Sequence, residues 1–396
     1  MRSPIILIDA SSPARTRATA QGRPPMNDEL SGSDEPMDES MSVLLSELGW
    51  NELFSQSFGE QADSGDVPAR VTAVHRNRVD VAGSFGDRQA TIARSLHEAD
   101  AADRPATGDW VVLRTAGSGG TASVRSILPR KSAFMRRAAG VKAVPQVIAA
   151  NVDRVFIVTG LPDDVNERRL ERYLAVAWES GALPAVILTK TDLVDNIDDW
   201  IAMVGAAAPG VDVIAVSALT DVGMESLEAY LLPGSTIALL GSSGVGKSTL
   251  LNRLAGNELM RTAEVRGDGR GRHTTTHREL VRLPNGVMVI DTPGMRELQL
   301  WSAESGLEQA FDDITTLSEG CRFADCAHEG EPGCAVAAAI DAGALDANRL
   351  ASWRKLSREA SRAALLRDAL AASTERARVK SLHRLGRRRI REKYNE

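Results

Sequence analysis

Residues 241–249 read GSSGVGKST and match the pattern G-x-x-x-x-G-K-[ST]. They follow the apolar run TIALL and precede TLLNRLAG, so a buried strand should lead into this loop and a helix should leave it. Glycines at these positions let backbone N–H groups converge on an anion, because no side chain blocks the approach. This feature constrains the fold most strongly, since it requires a parallel α/β sheet around the loop.

The loop motif assigns a role to its polar residues. We expect Lys247 to bridge the β- and γ-phosphates of a nucleotide, Ser248 to bind Mg²⁺ and Thr249 to lie near the α-phosphate. Downstream, VMVIDTPG ends a strand at Asp291, which we expect to hold Mg²⁺ through water. The predicted phosphate-binding residues are Gly241, Ser242, Ser243, Gly244, Val245, Gly246, Lys247, Ser248, Thr249 and Gly294.

A second motif indicates which base is bound. TKTD follows the apolar run AVIL, and there Asp192 would accept hydrogen bonds from guanine N1 and N2, which adenine cannot donate. The Lys190 stem would cover the ring. Thr189 stands where most GTPases carry Asn, so we expect one structural hydrogen bond to be weaker. The predicted base-binding residues are Thr189, Lys190, Thr191, Asp192, Ser217 and Ala218.

The segment EVRGDGRGRHTTTHREL, between the phosphate loop and DTPG, is polar and glycine-rich, as a nucleotide switch would be. We predict that Thr275 binds Mg²⁺ when a triphosphate is present, with Thr274 and Thr276 as alternatives. Met295 stands where many GTPases carry the Gln that positions water, so unassisted hydrolysis should be slow. His273 is the candidate catalytic residue. The alternative for His273 is an ordinary exposed loop histidine.

The remaining segments predict a multidomain chain. Residues 69–130 show short alternating runs such as ARVTAVHRNRVDVAG and DWVVLRTA, typical of a small antiparallel barrel of the OB type. From Asn151, apolar runs such as RVFIVTG alternate with amphipathic stretches. We predict a disordered acidic extension (1–41), a helical lead-in (42–68), the barrel (69–130), a basic connector (131–150), an α/β GTPase domain (151–298), a zinc-binding helical domain (299–375) and a basic tail (376–396).

The chain's three cysteines all lie in CRFADCAHEGEPGC, with the spacing C-x4-C-x-H-x5-C. Three thiolates and one imidazole form a closed tetrahedral Zn²⁺ site with no position for water, which predicts a structural metal. Unrelated buried thiols are the alternative, and the odd cysteine count disfavours disulfides. The predicted zinc ligands are Cys321, Cys326, His328 and Cys334.

Charge is distributed unevenly along the chain, whose net charge is −6. Residues 1–66 carry four arginines and twelve acidic residues, whereas residues 376–396 carry nine Lys or Arg and two acidic residues. The basic end indicates a polyanionic partner, with a solvated helical tail as the alternative. No apolar run reaches about 18 residues. We therefore expect a cytoplasmic monomer without membrane association, starting at Met1, Met26 or Met41.

The base-reading motif precedes the phosphate loop, the reverse of the usual order in GTPases. This order, GRHTTT, the Cys/His cluster and the preceding barrel resemble the circularly permuted family called ribosome small-subunit-dependent GTPase A, over residues 42–375. The permutation would make Gly294 the exit into the C-terminal domain. We hypothesise that movement of this switch pulls on that domain.

The resemblance implies a factor that binds the small ribosomal subunit in the GTP state, acts late in its maturation and leaves after hydrolysis, which the subunit stimulates. It also points to His273 as the catalytic residue. The alternatives are a GTP-dependent switch with a protein partner, and a P-loop ATPase in which TKTD is only a loop. The predicted rRNA contacts are Arg76, Arg78, Arg136, Arg137, Arg387, Arg388 and Arg389.

Overall fold

The computed structural model describes residues 39–115, 121–137, 145–256, 279–291 and 304–366, with Asp368, Ala372 and Arg376. From Glu39 onward the chain forms one compact unit. Several predictions concern residues outside the described ones. These are the disordered extension up to residue 38, His273, Thr274, Thr275, Thr276, Gly294, Met295, Arg387, Arg388 and Arg389.

Two short helices, α1 (Glu39–Ser46) and α2 (Glu52–Gln61), precede the barrel. Asn51 caps α2, because its Oδ1 accepts a hydrogen bond of 3.2 Å from the N–H of Phe54. Leu45 and Phe54 are buried in one apolar cluster with Trp110 of the barrel. The lead-in therefore packs on the barrel.

Five strands form the barrel, with helix α3 (Arg94–Glu98) between the third and fourth. They are β1 (Asp66–Val74), β2 (Arg78–Gly83), β3 (Gly86–Ile92), β4 (Trp110–Arg114) and β5 (Ala122–Ile127). The order is β1-β2-β3-β5-β4, and pairing of β1 with β4 closes the cylinder. The pair β3–β5 is parallel and the other pairs are antiparallel. This five-stranded barrel confirms the OB-type prediction.

The predicted basic connector contains a two-stranded antiparallel hairpin, β6 (Ala133–Arg137) and β7 (Pro145–Ala150). Phe134 of β6 is buried in the main apolar core. Arg130, which directly precedes the predicted connector, donates from Nε to buried Asp109 at 2.7 Å. This arginine therefore contributes to the stability of the fold.

A mainly parallel sheet follows, in the order β10-β9-β8-β11-β13, with β12 antiparallel at its edge. Its carboxyl ends meet at one edge, where α/β sheets bind ligands. The strands are β8 (Arg154–Gly160), β9 (Leu183–Thr189), β10 (Val213–Ala215), β11 (Thr236–Leu240), β12 (Glu279–Arg282) and β13 (Met288–Asp291). The helices are α4 (Glu167–Ser180), α5 (Ile197–Ala207) and α6 (Lys247–Ala255), with 3₁₀ helices at Thr191–Leu193 and Met224–Tyr230.

The barrel and the GTPase sheet are continuous. Strand β1 pairs with β12 through Ala73 and Glu279, and Glu279 pairs in turn with Asp291 of β13. Together the strands form one 11-stranded sheet. A single row of paired residues therefore runs from the barrel to the strand that ends at DTPG.

Arg70 of β1 is buried where the barrel meets the GTPase sheet, at 1 % exposure. Its guanidinium donates to the carbonyls of Leu48 at 2.5 Å, Gly108 at 3.3 Å and Asn151 at 3.1 Å, and to Thr236 Oγ1 at 2.8 Å. Burial lowers the pKa of Arg70 to about 10, so the group stays cationic at neutral pH. The lead-in, barrel, hairpin end and β11 all bind this one side chain.

The C-terminal region is helical, with α7 (Glu304–Ala310), α8 (Asp312–Ser318), α9 (Ala335–Asp341) and α10 (347–366). It docks on α4 of the GTPase sheet. Glu359 of α10 accepts two hydrogen bonds from Arg172, at 2.6 and 2.7 Å. Among the described residues, no helix is long and apolar enough to cross a membrane.

Candidate functional site

The GSSGVGKST segment connects β11 to α6, as predicted. Gly241 has φ of +147°, and a Cβ there would lie 2.3 Å from the Val158 carbonyl oxygen, so only glycine fits. The Lys247 ammonium donates to the carbonyls of Gly241 at 2.9 Å and Ser242 at 2.5 Å. The lysine therefore lies over the loop, at the N-terminus of a helix that favours anions.

The base-reading motif lies at the end of β9, and its carboxylate is oriented by a neighbouring loop. Lys190 adopts the left-handed conformation with φ of +60°, and a 3₁₀ turn follows. Asp192 Oδ1 accepts a hydrogen bond of 2.5 Å from Ser217 Oγ, which is fully buried after β10. Asp192 itself is exposed, so the arrangement presents an oriented carboxylate to solvent at the sheet edge.

Thr189 joins the two motifs directly. Its Oγ1 lies 2.5 Å from the carbonyl oxygen of Val245 in the phosphate loop, to which it donates. Strands β9 and β11 flank β8, so both loops leave the same edge of the sheet. We expected a weaker hydrogen bond at this position, yet the threonine hydroxyl reaches the loop backbone. The base-reading and phosphate-binding motifs therefore form one continuous site.

The residues proposed for Mg²⁺ offer oxygen donors, which this ion prefers. Ser248 lies in the first turn of α6 and is half-buried. Asp291 ends β13, which is the parallel neighbour of β11, so its backbone lies beside the strand that enters the phosphate loop. A serine hydroxyl and an aspartate are residue types that supply such oxygens, while the predicted third residue, Thr275, lies outside the described residues.

The four predicted metal ligands come together between α8 and α9. Their donor atoms all lie within 4.8 Å of one another. His328 is held with φ of +59°, and its Nδ1 lies 3.6 Å from Cys321 Sγ and 3.5 Å from Cys334 Sγ. The carboxylate of Glu331 accepts from the N–H groups of Ala327 and Glu329, which holds the intervening loop.

These distances fit a tetrahedral metal ion. Bonds of about 2.3 Å to sulfur and about 2.0–2.1 Å to nitrogen, at the tetrahedral angle, place those donors about 3.5 Å apart. Desolvation also lowers the pKa of His328, which favours the neutral imidazole that metals require. Desolvation raises the pKa of the Cys326 thiol to about 11, a cost that a divalent cation would offset. The cluster could therefore hold a metal ion.

The predicted rRNA contacts fall into two described groups. Arg76 and Arg78 are exposed at the turn between β1 and β2. Arg136 is half-buried on β6, where it donates to Gln146 Oε1 at 3.3 Å, and β6 ends at Arg137. Arg76 and Arg78 therefore have the exposure that contact with a partner requires.

Two features near the site were not predicted. Arg253, in the last turn of α6, is paired with Asp221 of the loop after β10, which ties the phosphate-loop helix to the base-reading region. Arg70 also escaped prediction, because charged residues in alternating strands are usually exposed. A motif search gives no signal for either residue.

Comparisons with known proteins agree with this geometry. Residues 127–301 match the family model described as RsgA GTPase. The small ribosomal subunit biogenesis GTPase RsgA of Opitutus terrae is 46 % identical over 86 % of this chain and 96 % of the relative. The chain belongs to the RsgA GTPase family. Proteins of the same name from Streptomyces coelicolor and Methanosarcina acetivorans are 44 % and 42 % identical, over 86 % and 79 % of this chain and 93 % and 84 % of theirs.

Solved structures agree on the fold. YjeQ from Thermotoga maritima has a TM-score of 0.57 at 24 % identity, over 74 % of this chain and 98 % of that one. YloQ, described as a circularly permuted GTPase, has a TM-score of 0.54 at 23 % identity, over 76 % and 97 %. As an RsgA-family member, the chain is a GTPase with an N-terminal barrel, a permuted α/β domain and a C-terminal Cys/His cluster. The ATPase alternative is excluded.

Proposed function

We propose that this GTPase acts in biogenesis of the small ribosomal subunit, binding the subunit and its rRNA in the GTP state and leaving after hydrolysis. The hydrogen bond from Thr189 to Val245 supports the proposed nucleotide binding, because it joins the base-reading motif to the phosphate loop at one sheet edge. The relatives at 42–46 % identity are all named small ribosomal subunit biogenesis GTPases, which supports the small ribosomal subunit as the partner.

In this proposal the base end of the nucleotide is read by Asp192. Oriented by Ser217, its carboxylate accepts from guanine N1 and N2, while the Ala218 N–H backs the base oxygen. Adenine cannot donate these hydrogen bonds to the carboxylate, so the site should bind GTP more tightly than ATP. The Lys190 stem covers one face of the ring, and Thr191 supports the turn between Lys190 and Asp192.

At the other end, the N–H groups of residues 241–246 and the Lys247 ammonium hold the phosphates. Mg²⁺, when bound, neutralises charge on the β- and γ-phosphates, and Ser248, Thr275 and Asp291 are the residues that would hold it. We propose that His273 orients or deprotonates the attacking water, because Met295 cannot. Gly294 would contact the γ-phosphate, and movement of this residue would shift the C-terminal helices.

We propose that the metal in the Cys/His cluster is Zn²⁺ and that it is structural, because four protein ligands leave no position for water. For the rRNA contacts, Arg76 and Arg78 have the exposure that phosphate binding needs. Arg136, Arg137 and the arginines of the tail would add contacts, so binding should weaken steeply with salt. We also propose a cytoplasmic monomer that does not bind membranes.

GTP turnover measured with and without purified small ribosomal subunits tests the proposal. We expect strong stimulation by the subunits. The double variant Arg76→Ala/Arg78→Ala should lose most of that stimulation and keep the unstimulated rate, whereas Arg94→Ala should behave like the parent because Glu98 already neutralises this arginine at 2.7 Å. Turnover that subunits leave unchanged would contradict the ribosomal partner and favour a protein partner instead.

A further inference from the structure

We propose that Glu279 is a further residue of the magnesium site, and that its carboxylate strengthens the binding of Mg²⁺ with the nucleotide. This inference rests on the Mg²⁺ site proposed above, to which Ser248 and Asp291 belong. Glu279 is the first residue of β12, the strand that lies between β1 of the barrel and β13. A single exposed glutamate is common on protein surfaces, so its register in the sheet has to carry the inference.

The register places Glu279 directly opposite the last residue of β13. Strands β12 and β13 are antiparallel, and Glu279 is paired with Asp291, as Leu280 is paired with Ile290. Residues that lie directly opposite each other in such a pair share one face of the sheet, with Cβ atoms about 4.5–5.5 Å apart. Glu279 is therefore a neighbour of the predicted magnesium residue on the same face.

This face of the sheet is the one that carries the phosphate-loop helix. Leu280 and Ile290 pack into the apolar core that contains α4, so the residues that alternate with them lie on the opposite face. Val289 lies on that opposite face, in the apolar cluster that contains the buried residues of α6. Glu279 therefore shares a face with α6, whose first turn contains Ser248.

The position along the strands also matches the nucleotide end of the sheet. Ile290 is paired in parallel with Ala238 of β11, and the phosphate loop starts shortly beyond Ala238, at Gly241. Because β12 runs antiparallel to β13, its first residue, Glu279, lies at this same end. Mg²⁺ keeps several waters when it binds to proteins, so an exposed carboxylate can act on the ion through these waters and through its charge.

A second carboxylate at this position has opposite effects with and without the ion. Like charges directly opposite each other on neighbouring strands destabilise their pairing. A divalent cation bound beside them reverses that effect, because each carboxylate then faces an opposite charge. Neutralising Glu279 should therefore weaken Mg²⁺ binding and leave the metal-free protein at least as stable as the parent.

The experiment measures how Mg²⁺ slows the release of N-methylanthraniloyl-GDP from the whole protein. The Mg²⁺ concentration that gives half of the slowing should rise about tenfold in Glu279→Gln, the effect of one carboxylate a few ångströms from a divalent cation in water. Glu279→Asp keeps the charge, so its value should stay within about threefold of that of the parent. An unchanged Mg²⁺ dependence in Glu279→Gln would overturn the inference.

Glu228→Gln is the matched control, because it removes the same charge from an exposed position elsewhere in the domain. Glu228 lies in the 3₁₀ helix Met224–Tyr230, and Tyr230 of this helix contacts Arg154 at the amino end of β8. The control should stay within about twofold of the parent, because solvent and salt screen exposed charges over such a distance. A loss in Glu228→Gln equal to that in Glu279→Gln would also overturn the inference.

Thermal unfolding with bound GDP, in EDTA and in excess Mg²⁺, gives a second readout that does not depend on catalysis. Mg²⁺ should raise the Tm of the parent more than that of Glu279→Gln, and a lower Tm of this variant in EDTA would contradict the charge argument. An arm with Ser248→Ala separates the inference from the proposed Mg²⁺ site. If Ser248→Ala weakens Mg²⁺ binding and Glu279→Gln does not, only the inference fails. If Ser248→Ala leaves the Mg²⁺ dependence unchanged, the proposed site itself fails.

Discussion

Thr189 shows how a short side chain can replace a longer one when the backbone allows a close approach. A Cβ at Gly246 would lie 3.5 Å from Thr189 Oγ1, so the phosphate loop and the end of β9 are nearly in contact. Over this short gap a hydroxyl reaches the Val245 carbonyl without the extra length of an amide. The departure from the usual Asn is therefore compensated locally.

Replacing Thr189 with Val should weaken both GTP and GDP about tenfold. Val keeps the shape but removes the donor, and a buried acceptor left without its partner costs about 1–3 kcal/mol. Fluorescence titration of nucleotide binding checks this. Thr189→Asn should retain most of the affinity, because its amide can donate to the same carbonyl, and exposed Thr220→Val is the control. Parent-like binding by Thr189→Val would mean that the bond does not order the loop.

Helix α9 begins at a residue of the Cys/His cluster. Cys334 is both a predicted ligand and the N-cap, since its Sγ accepts from the Ala337 N–H at 3.4 Å. The N–H of Arg322 donates to the Gly333 carbonyl at 3.0 Å, which closes the two loops of the cluster on each other. A helix of seven residues has little stability of its own, so tertiary contacts must hold it.

Substituting Cys326 with Ser should abolish stoichiometric metal binding and unfold the cluster region. Structural Zn²⁺ sites contribute about 10–16 kcal/mol, which this short segment cannot otherwise supply. Metal analysis and limited proteolysis between residues 312 and 366 check the result, with Arg322→Ala as a control that spares the ligands. GTP affinity should remain within about twofold of that of the parent, because the nucleotide-binding loops follow the strands of the sheet and contain none of the cluster residues. Retained metal in Cys326→Ser would remove Cys326 from the ligand set.

Arg70 joins the separate parts of the molecule without a direct carboxylate partner. Asp109 and Asp153 interact with it only at longer range, and desolvation is the largest effect on its pKa. Three backbone carbonyls and one hydroxyl bind the guanidinium instead. Arg70 therefore joins the barrel to the GTPase sheet through three backbone carbonyls, which substitutions elsewhere would leave in place, and the Thr236 hydroxyl.

Changing Arg70 to Met should lower the free energy of unfolding by about 2–4 kcal/mol, because several buried carbonyls lose their donor. Urea unfolding followed by far-UV circular dichroism measures this, with exposed Arg88→Met expected within about 0.5 kcal/mol of the parent. The free energy of unfolding of Arg70→Lys should lie between those of Arg70→Met and the parent, since an ammonium cannot reach all four acceptors. Equal stability of Arg70→Met and the parent would show that relief of desolvation outweighs the lost hydrogen bonds.

The sequence predicts those parts of the fold that local patterns encode. The phosphate loop, the apolar strands β8, β9 and β11, and the C-x4-C-x-H-x5-C spacing each follow from neighbouring residues. Sequence reasoning missed what depends on distant pairing, such as the β1–β12 ladder and the buried position of Arg70. The hairpin β6–β7 was interpreted as a linker because its arginines obscured the alternation around Phe134.

The Ala73–Glu279–Asp291 row means that the barrel also protects the GTPase sheet from solvent. Strand β12 would otherwise end the sheet with unpaired N–H and C=O groups, the kind of border along which β-proteins recruit foreign strands and aggregate. Strand β1 occupies that border. A chain shortened to the GTPase domain would therefore expose the edge of β12, and we expect it to aggregate more readily than the whole protein.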